Sequence, residues 1–243
     1  MESAVTPQSI DPGSVISSAA RIYRDHAGVL LASALAVFAV EALLVLVLGA
    51  VGSLLSIVVS TFYQGLVVEL VRDVQDGRRD SSVGELFRSV APVVAPLLAV
   101  SILAGIGIVI GFVLLIIPGL FLMTIWSVVA PVTVVERPGV FSAFGRSQAL
   151  VKGYGWQVFG VIIVVIVVSI VVGLLVGVIA SSMSDAGRAL VQWAFNVVTA
   201  PLLALLVSVL YFGLRRAHGE TIASAPPTAG PESPGGWAPP SAS

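Results

Sequence analysis

AGVLLASALAVFAVEALLVLVLGAVGSLLSIVVSTFYQGLVVELV, residues 27–71, decides the fold class. The stretch is 45 residues long, and its charged side chains are Glu41 and Glu69. As one helix it would reach roughly 68 Å at about 1.5 Å per residue, more than twice the roughly 30 Å hydrocarbon core of a bilayer. It must cross and return, and the small-residue run Gly49, Ala50, Val51, Gly52, Ser53 is where it turns. Spans over 28–48 and 53–71 follow.

Two more blocks repeat the pattern. Residues 91–135 carry no charge, and Pro118 with Gly119 is placed to reverse them into spans three and four. Span four, 119–135, is short and has Pro131 near its end, which predicts an irregular edge there. A third block, Trp156 to Leu214, is interrupted by Ser181, Ser182, Met183, Ser184, Asp185, Ala186, Gly187 and Arg188, giving spans five and six. The expected fold is all-α, a polytopic membrane bundle of six transmembrane helices in three hairpins. Composition agrees, with 57% hydrophobic against 10% charged residues and a mean hydropathy of +1.06, outside the balance of a soluble domain.

Orientation follows from the basic residues, which are retained on the cytoplasmic side during insertion. Arg21, Arg24, Arg72, Arg78, Arg79, Arg88, Arg137, Arg146, Lys152, Arg215 and Arg216 fall on one face, and Arg188 alone on the other. Both termini are therefore expected in the cytoplasm, with the chain in a bacterial inner membrane. Residues 1–10 carry no basic cluster or cleavage pattern, so the first apolar stretch is expected to stay as an anchor. Cysteine is absent, which excludes disulfides, thiolate metal sites and a cysteine nucleophile. A net charge of -1 gives no field for nucleic acid.

Each hairpin is preceded by a short segment with an arginine five or six residues after a valine: SVISSAARIYRD (14–25), SVGELFRSVAP (82–92) and VFSAFGRSQALVKG (140–153). In the first, Val15, Ile16, Ala19, Ile22 and Tyr23 share one helical face, and Ser14, Ser17, Ser18, Arg21 and Arg24 the other. In the second, Val83, Leu86, Phe87 and Val90 form the stripe, and Ser82 with Glu85 makes a capping box. The segments read as amphipathic helices lying in the cytoplasmic interface. Residues 1–13 form a cytoplasmic lead and 14–220 the transmembrane domain. Residues 221–243, with six of the fourteen prolines, form a tail expected to be disordered.

Chemistry is sparse. His26 and His218 sit at predicted membrane edges without ligand spacing, so no metal site and no cofactor are expected. Gly105, Gly107, Gly111 and the pair Gly173, Gly177 are spaced for close helix contact rather than for phosphate. Glu41 resists a bland account, because an ionised carboxylate in a span is costly. It lies eight residues below the Gly49 turn, roughly 12 Å at helical rise, level with Ser60, Thr61 and Asn196. These four define an expected polar layer able to hold an ion or a headgroup; the competing reading is a protonated glutamate donating one interhelical hydrogen bond. On the cytoplasmic face the basic set Arg21, Arg24, Arg88, Arg146 and Lys152 faces headgroups, and Glu136 near Arg137, Arg146 and Lys152 reads as an anchor with an exposed ion pair. Glu69, Arg72 and Asp73 have the same reading.

The segment IIPGLFLMTIWSVVAPVTVVERPGVFSAFGRSQALVKGYGWQVFG (116–160) resembles the membrane domain of glycerophosphodiester phosphodiesterases and its stand-alone relatives. The matching positions are Pro118, Gly119, Trp126, Pro131, Glu136, Ala143, Ser147, Lys152 and Gly153, and Val15 to Leu30 is similar to that family's first helix. None of these positions is catalytic, and the chain has no room for the soluble barrel of some 250 residues that would carry hydrolysis. The resemblance therefore implies the membrane part alone. The expected function is a non-enzymatic accessory or scaffold engaging membrane lipids or a protein partner at the cytoplasmic face. The alternative is a small transporter or channel subunit using the layer around Glu41. The glycine-spaced faces permit one closed bundle or a dimer.

Overall fold

In the computed structural model, residues 11–75 and 88–220 are described. The Ser82–Glu85 capping box, the stripe of Val83, Leu86 and Phe87, Arg78, Arg79 and the 221–243 tail lie outside the described residues. Among the described residues the regular structure is helical, with six stretches long and apolar enough to cross a membrane.

Helix α1, Pro12–Asp25, starts where Asp11 accepts a hydrogen bond from the Ser14 amide at 3.0 Å and Pro12 takes the first helical position. Helix α2, Ala27–Leu48, follows across His26, and α3 is Ala50–Gln75. The reversal between α2 and α3 is a single residue, Gly49, at φ 55°. It is tighter than the expected five-residue turn because Gly52 carries no side chain. A Cβ there would stand 2.0 Å from the Leu44 carbonyl oxygen.

The second hairpin departs further from expectation. After a 3₁₀ turn over Ala91–Val93, α4 (Val94–Leu114) reverses into α5 (Ile116–Ile125) at Leu115, three residues before Pro118. Pro118 instead occupies the first turn of α5, where a missing amide has no intrahelical partner to disappoint. Gly119 and Gly111 serve the packing: a Cβ on Gly111 would lie 3.0 Å from the Gly119 Cα, and one on Gly119 would enter the Phe112 ring. Span four is then broken at Trp126–Val128 before α6, Val129–Val135. Pro131 accounts for the break, since it offers no amide to the Ser127 carbonyl and its ring crowds that turn. The irregularity falls in mid-span rather than at the edge.

Helices α7 (Val140–Val151), α8 (Gly155–Ser181) and α9 (Asp185–Ala217) complete the chain, the last begun by Ser184, whose Oγ accepts from the Gly187 amide at 3.3 Å. The three hairpin reversals share one end of the bundle, the turn end. The connections rich in arginine share the other, the basic end. Helices α1 and α7 precede the first and third hairpins, as the repeat predicts, but their apolar stripes are turned to the bundle. Val15, Ala19 and Ile22 are buried where α1 packs on α9 and α8, and Ala143, Ser147, Leu150 and Val151 are buried on α7. Pro201 loosens the middle of α9, and the Tyr23 hydroxyl donates to the Val198 carbonyl in that turn at 3.2 Å.

The core lies toward the basic end. It takes Leu30, Ala34, Val37 and Phe38 from α2, nearly all of Thr61 to Val71 from α3, Leu97 and Val100 from α4, and Leu205 to Leu214 from α9. Toward the turn end the same residue types face outward: Leu46 is 83% and Val113 81% exposed. Of the glycines expected at helix contacts, Gly107 meets the Trp126 ring and Gly111 meets α5, while Gly105, Gly173 and Gly177 face open space.

Candidate polar sites at the two ends of the bundle

At the basic end, five side chains from three segments close a network. Glu136, just past α6, accepts from Arg146 of α7, Nε to Oε2 at 2.7 Å and Nη2 to Oε1 at 3.2 Å. Its Oε1 also accepts the Tyr211 hydroxyl of α9 at 2.9 Å. Glu220, just past α9, accepts from Arg146 and from Arg215 Nε, the latter at 3.1 Å. The Arg215 guanidinium also stands 5.8 Å from the centre of the Tyr211 ring. Hydrogen bonds to Glu136 and then Glu220 hold the Arg146 guanidinium above its ordinary value. Hydrogen bonding, first from Arg146, holds the Glu220 carboxyl below the usual carboxylate range.

A second cluster lies beside it. Glu69, read from the sequence as an exposed anchor, is only 4% exposed, because it sits on the buried flank of α3. Arg72 approaches it at 3.6 Å and Arg137 at 3.9 Å. Arg137 holds a left-handed backbone at φ 52°, and its guanidinium also donates to the Ser89 carbonyl at 3.1 Å. Three carboxylates, Glu69, Glu136 and Glu220, and four arginines are thus matched at this end. Arg146, expected on an open basic face, is drawn inside by Glu136 and Glu220. Arg21, Arg24, Arg88 and Lys152 are exposed and carry no acidic partner among the described residues.

The layer expected around Glu41 is assembled only in part. The Glu41 carboxyl lies beside the Ser60 hydroxyl, and its buried Oε1 has no hydrogen bond. Ser60 and Thr61 donate to their own helix, to Ser56 O at 2.8 Å and Ile57 O at 2.6 Å. Asn196 accepts from Gln192, one turn away on α9. The contact from α9 to α2 near this depth is instead Trp193 Nε1 donating to the Phe38 carbonyl at 3.0 Å. Both histidines bond carbonyls four residues back, His26 to Ile22 and His218 to Leu214. Among the described residues no group of His, Asp and Glu could hold a metal ion.

No family model and no solved structure matches the chain. It is similar to a UPF0259 membrane protein of Pectobacterium carotovorum subsp. carotovorum, 32% identical over 106 residues. The matched stretch covers 44% of this chain and 42% of that protein, so the chain spans under half the length of the relative it matches. The chain is a multi-pass integral membrane protein.

Sequence reasoning brought Glu136 and Arg146 together but missed Tyr211, Arg215 and Glu220. Their common signal was position, since all fall at or just beyond basic span ends. Arg215 also follows Tyr211 by four residues on one helical face.

Proposed function

We propose that this protein is a non-enzymatic accessory or scaffold of the bacterial inner membrane, with its basic end in the cytoplasm, where it engages anionic lipid headgroups. One observation carries this reading: at the basic end the carboxylates of Glu69, Glu136 and Glu220 are occupied by Arg146, Arg215, Arg72 and Arg137, leaving Arg21, Arg24, Arg88 and Lys152 exposed on the rim with no acidic partner among the described residues. A rim of unpaired cations beside membrane spans attracts an anionic leaflet by about 1 kcal/mol per residue. The positive-inside distribution supports the orientation. The test is retention of phosphatidylglycerol against phosphatidylcholine by purified protein in native mass spectrometry. Changing Arg21, Arg24, Arg88 and Lys152 together to Gln is expected to abolish the preference; an unchanged preference would sink the reading.

A second reading, a small transporter or channel subunit, is favoured by the unbonded Glu41 oxygen next to Ser60. Its requirement is a continuous polar path. Cation or proton flux in proteoliposomes, lost in Glu41→Gln, would move it ahead of the first.

A further inference from the structure

A groove of about 920 Å³ opens between α5, the end of α7 and the start of α8. Its volume lies within the range of about 300–1,000 Å³ typical of small-molecule sites. Ile117, Leu120 and Phe121 of α5 make one long apolar wall, and Phe159 of α8 part of the other. The polar groups gather at one end: Gln148 and Lys152 where α7 stops, and Gln157 in the first turn of α8. The Ser147 hydroxyl, beside Gln148, bonds the Ile125 carbonyl at 2.8 Å and fixes that end of the groove against α5.

Three observations together define the occupant. The mouth is lateral: Ile117 is 79% and Trp156 84% exposed, so the groove opens along a face of apolar spans, where a membrane protein meets acyl chains. Lys152 differs from Arg146, six positions earlier on the same segment, in having no carboxylate partner among the described residues. Its ammonium therefore remains available as a point charge for a phosphate. The chain between the two helices turns at Gly153, at φ 93°, and Tyr154 gives α8 no side-chain cap, so the amides of Gly155 to Gln157 open toward the same end. Trp156 at the rim has the apolar body and indole donor that favour headgroup depth.

We propose that this groove holds one anionic phospholipid of the surrounding leaflet, with its phosphate at Lys152 and the first turn of α8 and an acyl chain along α5. The proposal rests on the reading of the basic end given above and assigns a particular site to it. The shape separates this lipid from those attracted loosely by the rim. A rim charge senses any anionic surface, whereas the groove requires a chain and a headgroup at a fixed separation.

The experiment compares wild type, Lys152→Gln, the groove-filling Leu120→Trp and the rim variant with Arg21, Arg24 and Arg88 changed to Gln. Each is exchanged into phosphatidylglycerol or phosphatidylcholine nanodiscs, released and weighed by native mass spectrometry, with thermal midpoints recorded to establish folding. A single retained phosphatidylglycerol is expected on wild type. Retention should fall about fivefold in Lys152→Gln, the factor equivalent to roughly 1 kcal/mol, and disappear in Leu120→Trp. Equal retention of phosphatidylcholine by wild type, or undiminished phosphatidylglycerol in a folded Lys152→Gln, overturns the site. If the rim variant alone loses lipid, the groove fails and the broader reading stands. If no variant changes retention, both fail. Because Lys152 is exposed, its variant keeps the test decisive even if Leu120→Trp does not fold.

Discussion

The two ends of this bundle are built from the same Val, Leu and Ile and yet are packed differently. Toward the basic end these side chains vanish into a core with Tyr63, Leu205, Tyr211 and Phe212 fully buried. Toward the turn end they stand outward, and α8 buries little beyond Val158, Val161 and Ala180. In lipid, apolar side chains gain nothing by leaving one hydrocarbon for another, so helices associate where small residues admit close contact or polar groups need partners. Both conditions hold at the basic end, where the Glu136 and Glu69 clusters tie α3, α6, α7 and α9. At the turn end, Gly49 with Gly52 and Gly111 with Gly119 hold hairpins together locally, and on that half the polar tie between hairpins among the described residues is the single hydrogen bond from Trp193 Nε1 to the Phe38 carbonyl. The polar residues, few as they are, decide where the core lies.

The largest test of that contrast is truncation of equivalent leucines. Leu205→Ala, in the basic-end core, is expected to cost about 2–5 kcal/mol, and Leu174→Ala, outward on α8, to stay within about 0.5 kcal/mol. Reversible unfolding in detergent would measure both, and similar losses would mean that α8 has a partner covering it. Next, Glu136→Gln removes the charge that Arg146 and Tyr211 share and should destabilise by about 1–3 kcal/mol, whereas Glu41→Gln should be near neutral or stabilising. A reversal of that order would place the essential carboxylate in the outer layer.

Acid should loosen the basic end first. Because the folded Glu220 carboxyl lies below its unfolded value of about 4.3, its contribution is present above that value and fades as pH falls through the lower folded one. Thermal midpoints followed downward from neutral pH should therefore drop below about pH 4, with a shallower drop in Glu220→Gln. Identical acid limbs would remove Glu220 from the account. The smallest effect is expected at Gly177. Gly177→Ala meets open space and should change stability by no more than the roughly 0.5–1 kcal/mol that alanine gains in a helix; a clear loss would reveal a contact on α8.

Hydropathy and loop charge made the six spans and their shared basic end legible, because length against bilayer thickness leaves few solutions. The turn positions were less so. Pro118 marked the second hairpin, but a proline suits a helix's first turn, so the reversal lies before it at Leu115. Pro131 was visible, yet its consequence falls four residues upstream at Ser127, by the geometry of the helical hydrogen bond. The stripe on α1 was read correctly as a face, but periodicity does not say whether lipid or protein covers it. Partners 75 residues apart, such as Glu136 and Tyr211, left no local trace. The Glu41 layer failed in part because depth along a helix says nothing about rotation around it, and Asn196 pairs along its own helix with Gln192.

The basic-end network also has a place in time. Glu136 and Arg146 are synthesised well before Tyr211, Arg215 and Glu220, and domains generally form from the amino-terminal side during translation. Two hairpins can enter the membrane while Glu136 and Arg146 hold only each other. The clasp closes only when α9 has passed its basic end, so its five side chains meet after all six described spans have been made.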